Sequence, residues 1–279
     1  MKKGILAVAV LLVLASFSSP KKEAIKCKAQ TKALKVDGKT GDWDTNLAFD
    51  EKTGFYYAFS NDARNLYVRL KMTNKMVQRK ALATGLTLWI DPAGKGKSKL
   101  GIQYPKGRMH ENRGNYQRPQ NRSQGQAQRK SFSSQNNSEW INKFNLRYSS
   151  GVEKGELEGF EKAGLKDSFL GKNGIEVMLQ LDTKGELIYE AKIPLRMIFV
   201  HPDEYFKSSP KAFSLAFETG YIKIDMSRMG GGGMGGRMGG GGRMGSGGQR
   251  PSGNRMAAMQ FMTSATKIKW KNVVLNSIK

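Results

Sequence analysis

The 279-residue sequence predicts an all-β protein: an antiparallel β-sandwich with two long insertions in its loops. Three observations predict this class. Apolar and polar residues alternate over seven short segments, turn residues separate these segments, and little of the chain has helical periodicity. Each short alternating strand has one apolar face, and two sheets packed face to face bury all of these apolar faces in one core.

The predicted strands follow one another along the chain. Residues 65–72 alternate from Leu66 to Met72, with tyrosine, arginine and lysine between the apolar positions. Residues 85–91 repeat the pattern. Residues 175–181 and 186–193 repeat it again, and the turn between them predicts a hairpin. Residues 213–217, 221–224 and 267–271 complete the set. The predicted core contains Leu66, Val68, Leu70, Leu86, Leu88, Ile90, Val177, Leu179, Ile193, Leu215, Phe217, Ile268 and Trp270.

Two segments do not fit the strand pattern, residues 105–139 and residues 226–258. The first is rich in Gln, Asn, Ser and Arg, and the second consists largely of Gly, Met and Arg. Neither contains enough apolar surface to offset the entropy cost of ordering, so both are predicted to be disordered. Because predicted strands flank each one, they are interpreted as loop insertions in a single domain that spans residues 34–279.

The N-terminus predicts export. Residues 1–18 have the charged start, short apolar centre and small-residue exit of a signal peptide, which places the mature N-terminus near Ser19. The mature chain has no transmembrane segment. Residues 19–33 are interpreted as a flexible basic leader. Cys27, the only cysteine, lies too far beyond the apolar run to carry a lipid, and no intramolecular disulfide can form. We expect a periplasmic, secreted or cell-surface protein that is not a lipoprotein.

The formal net charge of +24 favours anionic partners. The second insertion lacks the strand, helix and Lys-Ser/Thr context of a phosphate-binding loop. No aromatic residue interleaves its arginines, so nucleic acid is not an expected partner. A solvated loop is the simplest interpretation, and contact with an acidic polysaccharide is the alternative. The arginines available for such contact are Arg228, Arg237, Arg243, Arg250 and Arg255.

The sequence offers little catalytic chemistry. The two histidines form no nucleophilic or metal-binding pattern, so the protein is predicted not to be an enzyme. A Ca²⁺ site formed by Asp37, Asp42 and Asp44 is conceivable because calcium prefers oxygen ligands, although the spacing matches no EF-hand loop. No other cofactor is predicted.

The order of several segments resembles that of family 9 carbohydrate-binding modules and their DOMON-like relatives. The segments are residues 36–43, with Val-Asp-Gly and then Trp43; residues 57–68; residues 86–91; and residues 188–194. The resemblance implies a β-sandwich without catalytic residues, with calcium as an optional stabilising ion.

This chain differs from the family at the position of the family's sugar site. In sugar-binding members two tryptophans sandwich a sugar ring, but the corresponding segments of this chain, residues 80–84 and 256–261, contain none. Phe261 is the only aromatic residue near those positions. A platform formed by Trp89 and Trp140 is a second candidate, although both could be structural. The predicted function is a non-catalytic carbohydrate-binding module. The alternative is an envelope protein whose basic loops contact anionic polymers or a protein partner. The oligomeric state is left open.

Overall fold

The computed structural model describes residues 23–39, 41–43, 46–107, 135–149, 155–160, 173–207, 211–223, 257 and 260–277. The predicted signal peptide and most of both insertions lie outside these residues. No helix within the described ranges is both long and apolar enough to cross a membrane.

Twelve strands and four helices have defined bounds in the described part of the chain, and residues 260–263 are also helical. The strands are β1 (Ile25–Lys26), β2 (Lys28–Ala29), β3 (Ala48–Asp50), β4 (Phe55–Asn61), β5 (Asn65–Met72), β6 (Leu86–Asp91), β7 (Leu100–Gln103), β8 (Glu156–Glu158), β9 (Glu176–Leu181), β10 (Leu187–Pro194), β11 (Phe213–Thr219) and β12 (Lys267–Val274). The helices are α1 (Lys75–Thr84), α2 (Gln135–Ser149), α3 (Leu195–Ile198) and α4 (Pro202–Lys207).

The strands form two six-stranded sheets that pack against each other as a β-sandwich. The first sheet has the order β1-β12-β11-β6-β7-β8. The second has the order β2-β4-β5-β10-β9, with β3 also paired to β4. Most pairs are antiparallel, as predicted, but β1 runs parallel to β12 and β2 runs parallel to β4. The described sheets are therefore mixed at the strands nearest the N-terminus.

The N-terminal segment is part of the sandwich, which corrects the prediction of a flexible leader for these residues. Ile25 pairs with Val273 in the first sheet, and Lys28 pairs with Ser60 in the second. Cys27 lies between the two short strands and is 1% exposed. Burial raises the pKa of its thiol to about 12. Strands of two residues are too short to give a periodicity signal, which explains why the sequence did not reveal them.

The predicted core is confirmed. All thirteen residues assigned to it from the alternation pattern are buried, including Leu88 and Phe217 at 0% exposure. The hairpin between β9 and β10 is also confirmed, because Gly185 N donates to Asp182 O at 2.8 Å in a tight turn. Trp270 of β12 points inward, and its ring packs edge-to-face against Phe59 of the opposite sheet with 5.0 Å between ring centroids.

None of the four helices was predicted from the sequence, and the two longest are α1 and α2. Helix α1 begins after Asn74, whose side chain accepts hydrogen bonds from the first turn, and ends at Gly85. Helix α2 begins inside the first predicted insertion, so residues 135–139 are helical. It buries Ile141, Phe144 and Tyr148 in the core at i, i+3 and i+7 spacing. That spacing is the helical signal that the composition of the surrounding segment concealed.

The predicted strand over residues 221–224 is not observed in its described part. Residues 221–223 lie outside any strand. Ile222 N still donates to Met262 O at 2.9 Å, so this segment is held against the chain that leads into β12.

The outer face of the second sheet is covered. Tyr67 and Arg69 of β5, which the alternation placed on the polar face, are 0% and 2% exposed. Leu34 and Trp43 of the preceding loop pack over them, and Arg69 lies 5.5 Å from the centroid of the Trp43 ring. One sheet of the sandwich therefore has both of its faces partly buried.

Candidate functional site

The outer face of the first sheet carries a partly buried tryptophan among small neighbours. Trp89 lies between Leu88 and Ile90, which point into the core, so its side chain is on the opposite face of β6. Its neighbours across the sheet are Ala216 of β11 and Gly101 of β7. These small residues leave room for the indole ring to lie along the sheet.

Gly101 supports the Trp89 ring directly. A methyl group at Gly101 would lie 2.6 Å from Cζ3 and 3.1 Å from Cη2 of Trp89. The six-membered part of the indole therefore rests over the bare backbone of β7. Any larger residue at position 101 would displace the ring, so glycine at this position is required by packing.

A depression of about 350 Å³ lies over Gly101, which pairs with Trp89, and extends toward β8. The strand register places Thr87, Gln103 and Glu156 in one row across it, and it places Glu158 beside Gly101 in the row of Trp89. Glu156 forms an ion pair with Lys106. The depression therefore offers hydroxyl, amide and carboxylate groups beside an aromatic surface.

The loop between β6 and β7 folds over the other side of Trp89. Lys269 of β12 donates from Nζ to Gly96 O at 2.6 Å, which fixes this loop against the sheet. Asp91, which is 1% exposed, accepts hydrogen bonds from the backbone of Ala93 and Lys97 and sets the shape of the loop. The Trp89 ring is thereby held between a loop and a strand.

The structure places Trp140 on a different element from Trp89. Trp140 lies on α2, which packs against β9 of the second sheet, and it is 46% exposed. Its ring contacts Phe144 with 5.8 Å between centroids. No contact between Trp140 and Trp89 is present among the described residues, so a joint platform has no support in the geometry.

Phe261 is the last residue of the second segment compared with the family's sugar site, residues 256–261. Lys80 of α1 is 0% exposed, and its ammonium lies 4.3 Å from the centroid of the Phe261 ring. The same group donates to Phe261 O at 2.7 Å, to Thr266 Oγ1 at 2.8 Å and to Ser264 O. Burial lowers the pKa of Lys80.

The fold thus brings Lys80 of the first segment, residues 80–84, into contact with Phe261, the last residue of the second segment. Here a buried lysine occupies that junction and covers part of the Phe261 ring. Phe261 is partly buried against the core, which leaves little of its surface for stacking.

The carboxylates considered for calcium bind backbone groups in the described part of their loop. Asp42 accepts from Lys35 N at 2.9 Å, and Asp37 accepts from Lys39 N at 2.9 Å. Asp44 lies outside the described residues. Within the described ranges no group of three or more His, Cys, Asp or Glu residues is placed to hold a metal ion. The calcium site stays a prediction.

The arginines of the second insertion also lie outside the described residues: Arg228, Arg237, Arg243, Arg250 and Arg255. The described part of the chain contains a different basic surface, which was not predicted from the sequence. Lysines alternate along the β6–β7 loop and again along β12, and the fold places the two series side by side. The period-two spacing of lysine in both segments was visible in the sequence, but their proximity was not.

Comparisons with known proteins return solved structures only. No protein-family model and no curated protein sequence matches this chain. One similar structure is a family 9 carbohydrate-binding module from Caldicellulosiruptor kristjanssonii in complex with glucose, at 10% identity, with 71% of this chain and 78% of that chain covered and a TM-score of 0.33. Another is a family 9 module from the same organism in complex with cellotriose, at 11% identity, with 71% and 76% covered and a TM-score of 0.28.

Both structures belong to the family that the order of sequence segments resembles. Their TM-scores lie below 0.5, so the assignment of this chain as an all-β sandwich rests on its own sheet topology.

Proposed function

We propose that this protein is a non-catalytic carbohydrate-binding module that stacks a sugar ring on Trp89. The observation that carries the proposal is the support of the indole ring over Gly101 on the outer face of a sheet. A flat aromatic surface complements the apolar face of a pyranose ring. A ring fixed by packing loses little conformational entropy when a ligand binds to it.

The polar row beside Trp89 supports the same function. Thr87, Gln103 and Glu156 lie in register on three adjacent strands, next to a depression of about 350 Å³. Sugar hydroxyl groups both donate and accept hydrogen bonds, and these side chains supply complementary groups. Small-molecule sites typically combine an apolar surface with a small number of polar groups that orient the ligand.

The arrangement of carboxylates on this face favours binding over hydrolysis. Glycosidases place two carboxyl groups about 5–9.5 Å apart, on either side of the scissile bond. Glu156 and Glu158 are two residues apart on β8, about 7 Å at the usual strand rise, and both lie on one side of the platform instead of on either side of a ring stacked on Trp89. Glu218 is three strands away from Glu156, about 14 Å at the usual strand spacing, and it is paired with Lys267 at 2.5 Å.

Titration of the protein with a panel of glycans, followed by tryptophan fluorescence, tests the proposal. Trp89→Ala is expected to weaken binding by about tenfold or more, equivalent to roughly 1.4 kcal/mol. Trp140→Ala is the matched control, since it removes an exposed tryptophan on another element. Equal losses in both variants, or a parent protein that binds no glycan, would contradict the proposal.

We also propose that the module is exported and forms a single domain interrupted by its two insertions. The signal-peptide pattern of residues 1–18 supports export, and Cys27 is buried between β1 and β2, where a lipid could not be attached without disrupting the sandwich. N-terminal sequencing of secreted protein tests this location. A lipid-modified Cys27 at the mature N-terminus would contradict it.

A further inference from the structure

Six exposed lysines form one basic surface beside Trp89. Three come from the β6–β7 loop and three from the outer face of β12. We define this lysine border as Lys95, Lys97, Lys99, Lys267, Lys269 and Lys271. Nothing in the proposed sugar-stacking function accounts for it.

Contacts between the loop and β12 join the two series into one surface. Lys269 donates to Gly96 O at 2.6 Å, and Lys267 donates to Ser98 Oγ at 3.3 Å. A methyl group at Gly96 would lie 3.2 Å from Lys269 Cδ and 3.2 Å from Lys271 Cε. The loop backbone therefore rests on the stems of the strand lysines, and the ammonium groups surround it.

The positive charge of the border is only weakly compensated. Glu218 pairs with Lys267 at 2.5 Å. Asp91 is buried, and its oxygens accept backbone hydrogen bonds. Six cations against these two carboxylates leave a positive potential along one side of the Trp89 face, where an anionic ligand would be attracted.

The register places the border at a defined distance from the proposed stacking surface. Lys269, Ala216, Trp89, Gly101 and Glu158 lie in one row across five adjacent strands. Lys269 is two strands from Trp89, or about 10 Å at the usual strand spacing. An oligosaccharide that lies across the strands can therefore reach both residues. Its charged groups belong on the β12 side, because Glu158 lies at the other end of the row.

From this juxtaposition we infer that the ligand is an acidic polysaccharide, with one sugar ring on Trp89 and carboxylate or sulfate groups against the lysine border. The inference rests on the proposed function and names the substrate class of the same site. Lysine is a compact, hydrated cation that suits such groups without the bidentate geometry of arginine. Nucleic acid is disfavoured, because single strands are bound over several aromatic platforms and the described part of this face has one.

The experiment compares binding of a heparin oligosaccharide and a neutral cello-oligosaccharide of the same length to the full-length mature protein. The variant is the triple substitution Lys97→Gln, Lys269→Gln and Lys271→Gln. We expect it to lower affinity for heparin by about tenfold or more at 0.15 M salt and to reduce the salt dependence of binding, because fewer counterions are released. Binding of the neutral oligosaccharide should be unchanged.

The control is the triple substitution Lys39→Gln, Lys52→Gln and Lys184→Gln. These lysines are exposed on loops that flank strands of the second sheet, and their replacement removes the same net charge. Heparin affinity should stay close to that of the parent. An equal loss in the control triple would show that overall charge governs binding, and it would overturn the inference.

The remaining outcomes separate the two proposals. Neutral-glycan binding that requires Trp89, with heparin affinity unaffected by the border substitutions, would overturn this inference and leave the proposed function intact. If heparin binding requires the lysine border but is unchanged in Trp89→Ala, no sugar ring stacks on Trp89. That result would overturn the proposed function and the inference that rests on it. Tighter binding of single-stranded DNA than of heparin would overturn the inference in favour of a nucleic-acid surface.

Discussion

Glu190 is a carboxylate without access to water, and its burial predicts an unusual pH dependence of stability. Its side chain is 0% exposed on β10. Arg69 Nε lies 3.6 Å from Oε1, and Gly38 N donates to Oε2 at 2.8 Å. Burial raises the pKa of Glu190 to about 7 from an ordinary 4.5, even though Arg69 and Gly38 both favour the ionised form.

The direction of the pH effect follows from linkage. A carboxyl group with a raised pKa in the folded state binds its proton more tightly there than in the unfolded chain. The stability contribution of Glu190 is therefore fully present below about pH 4.5 and is lost as the pH rises through about 7. At roughly 1.4 kcal/mol per pKa unit, the loss is about 3 kcal/mol.

Glu190→Gln isolates this contribution, because glutamine preserves the shape and does not titrate. Between pH 4.5 and 8 the parent should lose about 3 kcal/mol of unfolding free energy relative to the variant, as measured by urea unfolding at a series of pH values. Glu176→Gln is the control on the same sheet, with a side chain that is 53% exposed in the parent. A parent that gains stability over the Gln variant as the pH rises would contradict this prediction, since the attraction of Arg69 would then outweigh desolvation.

Four further outcomes test the packing and the insertion. Leu88→Ala should lower the unfolding free energy by about 2–5 kcal/mol, and a loss well below 1 kcal/mol would mean that Leu88 does not fill the core. Lys80→Met removes three hydrogen bonds to its ammonium group and should cost about 2–5 kcal/mol by urea unfolding; an unchanged midpoint would argue against that network. Gly101→Val should shift the Trp89 emission spectrum and weaken glycan binding, because the new side chain would overlap the indole ring; unchanged spectra would show that the ring does not rest there. Deleting residues 228–255 should change the melting temperature by only a few degrees and should weaken retention on heparin. An unfolded deletion variant would contradict the first expectation, and elution at the same salt concentration as the parent would contradict the second.

The local pattern of the sequence was sufficient for six of the twelve described strands, β5, β6, β9, β10, β11 and β12, and for the thirteen residues assigned to the core. Residues 65–72 and 86–91 alternate with a period of two, and a strand converts that period directly into two faces. Leu66 and Leu88 were therefore assigned to the core correctly without any knowledge of their partners. Six strands were not predicted. β1, β2, β3, β7 and β8 are at most four residues long and carry little or no period, and β4 begins with three consecutive aromatic residues instead of alternating. Helix α2 was not predicted because polar composition concealed its apolar stripe.

The sequence predicted one part of the candidate site, the outward position of Trp89, but not the packing around it. Trp89 could be placed on the outward face of its strand from alternation alone. Its support over Gly101 depends on the register between β6 and β7, which alternation does not specify. The coverage of Arg69 by Trp43 was likewise hidden, since a loop that folds over a sheet leaves no periodic trace in the strand beneath it.

Composition alone gives the strongly basic charge. Residues close together in the chain are enough to predict the fold class, the inward faces of six strands and the signal-peptide pattern. Tertiary structure decided the proximity of distant groups. Lys80 meets Phe261 across 181 residues, and Lys269 meets Gly96 across 173. These contacts arise from the order in which strands pair within each sheet, and that order depends on the packing of the whole domain rather than on any local run of residues.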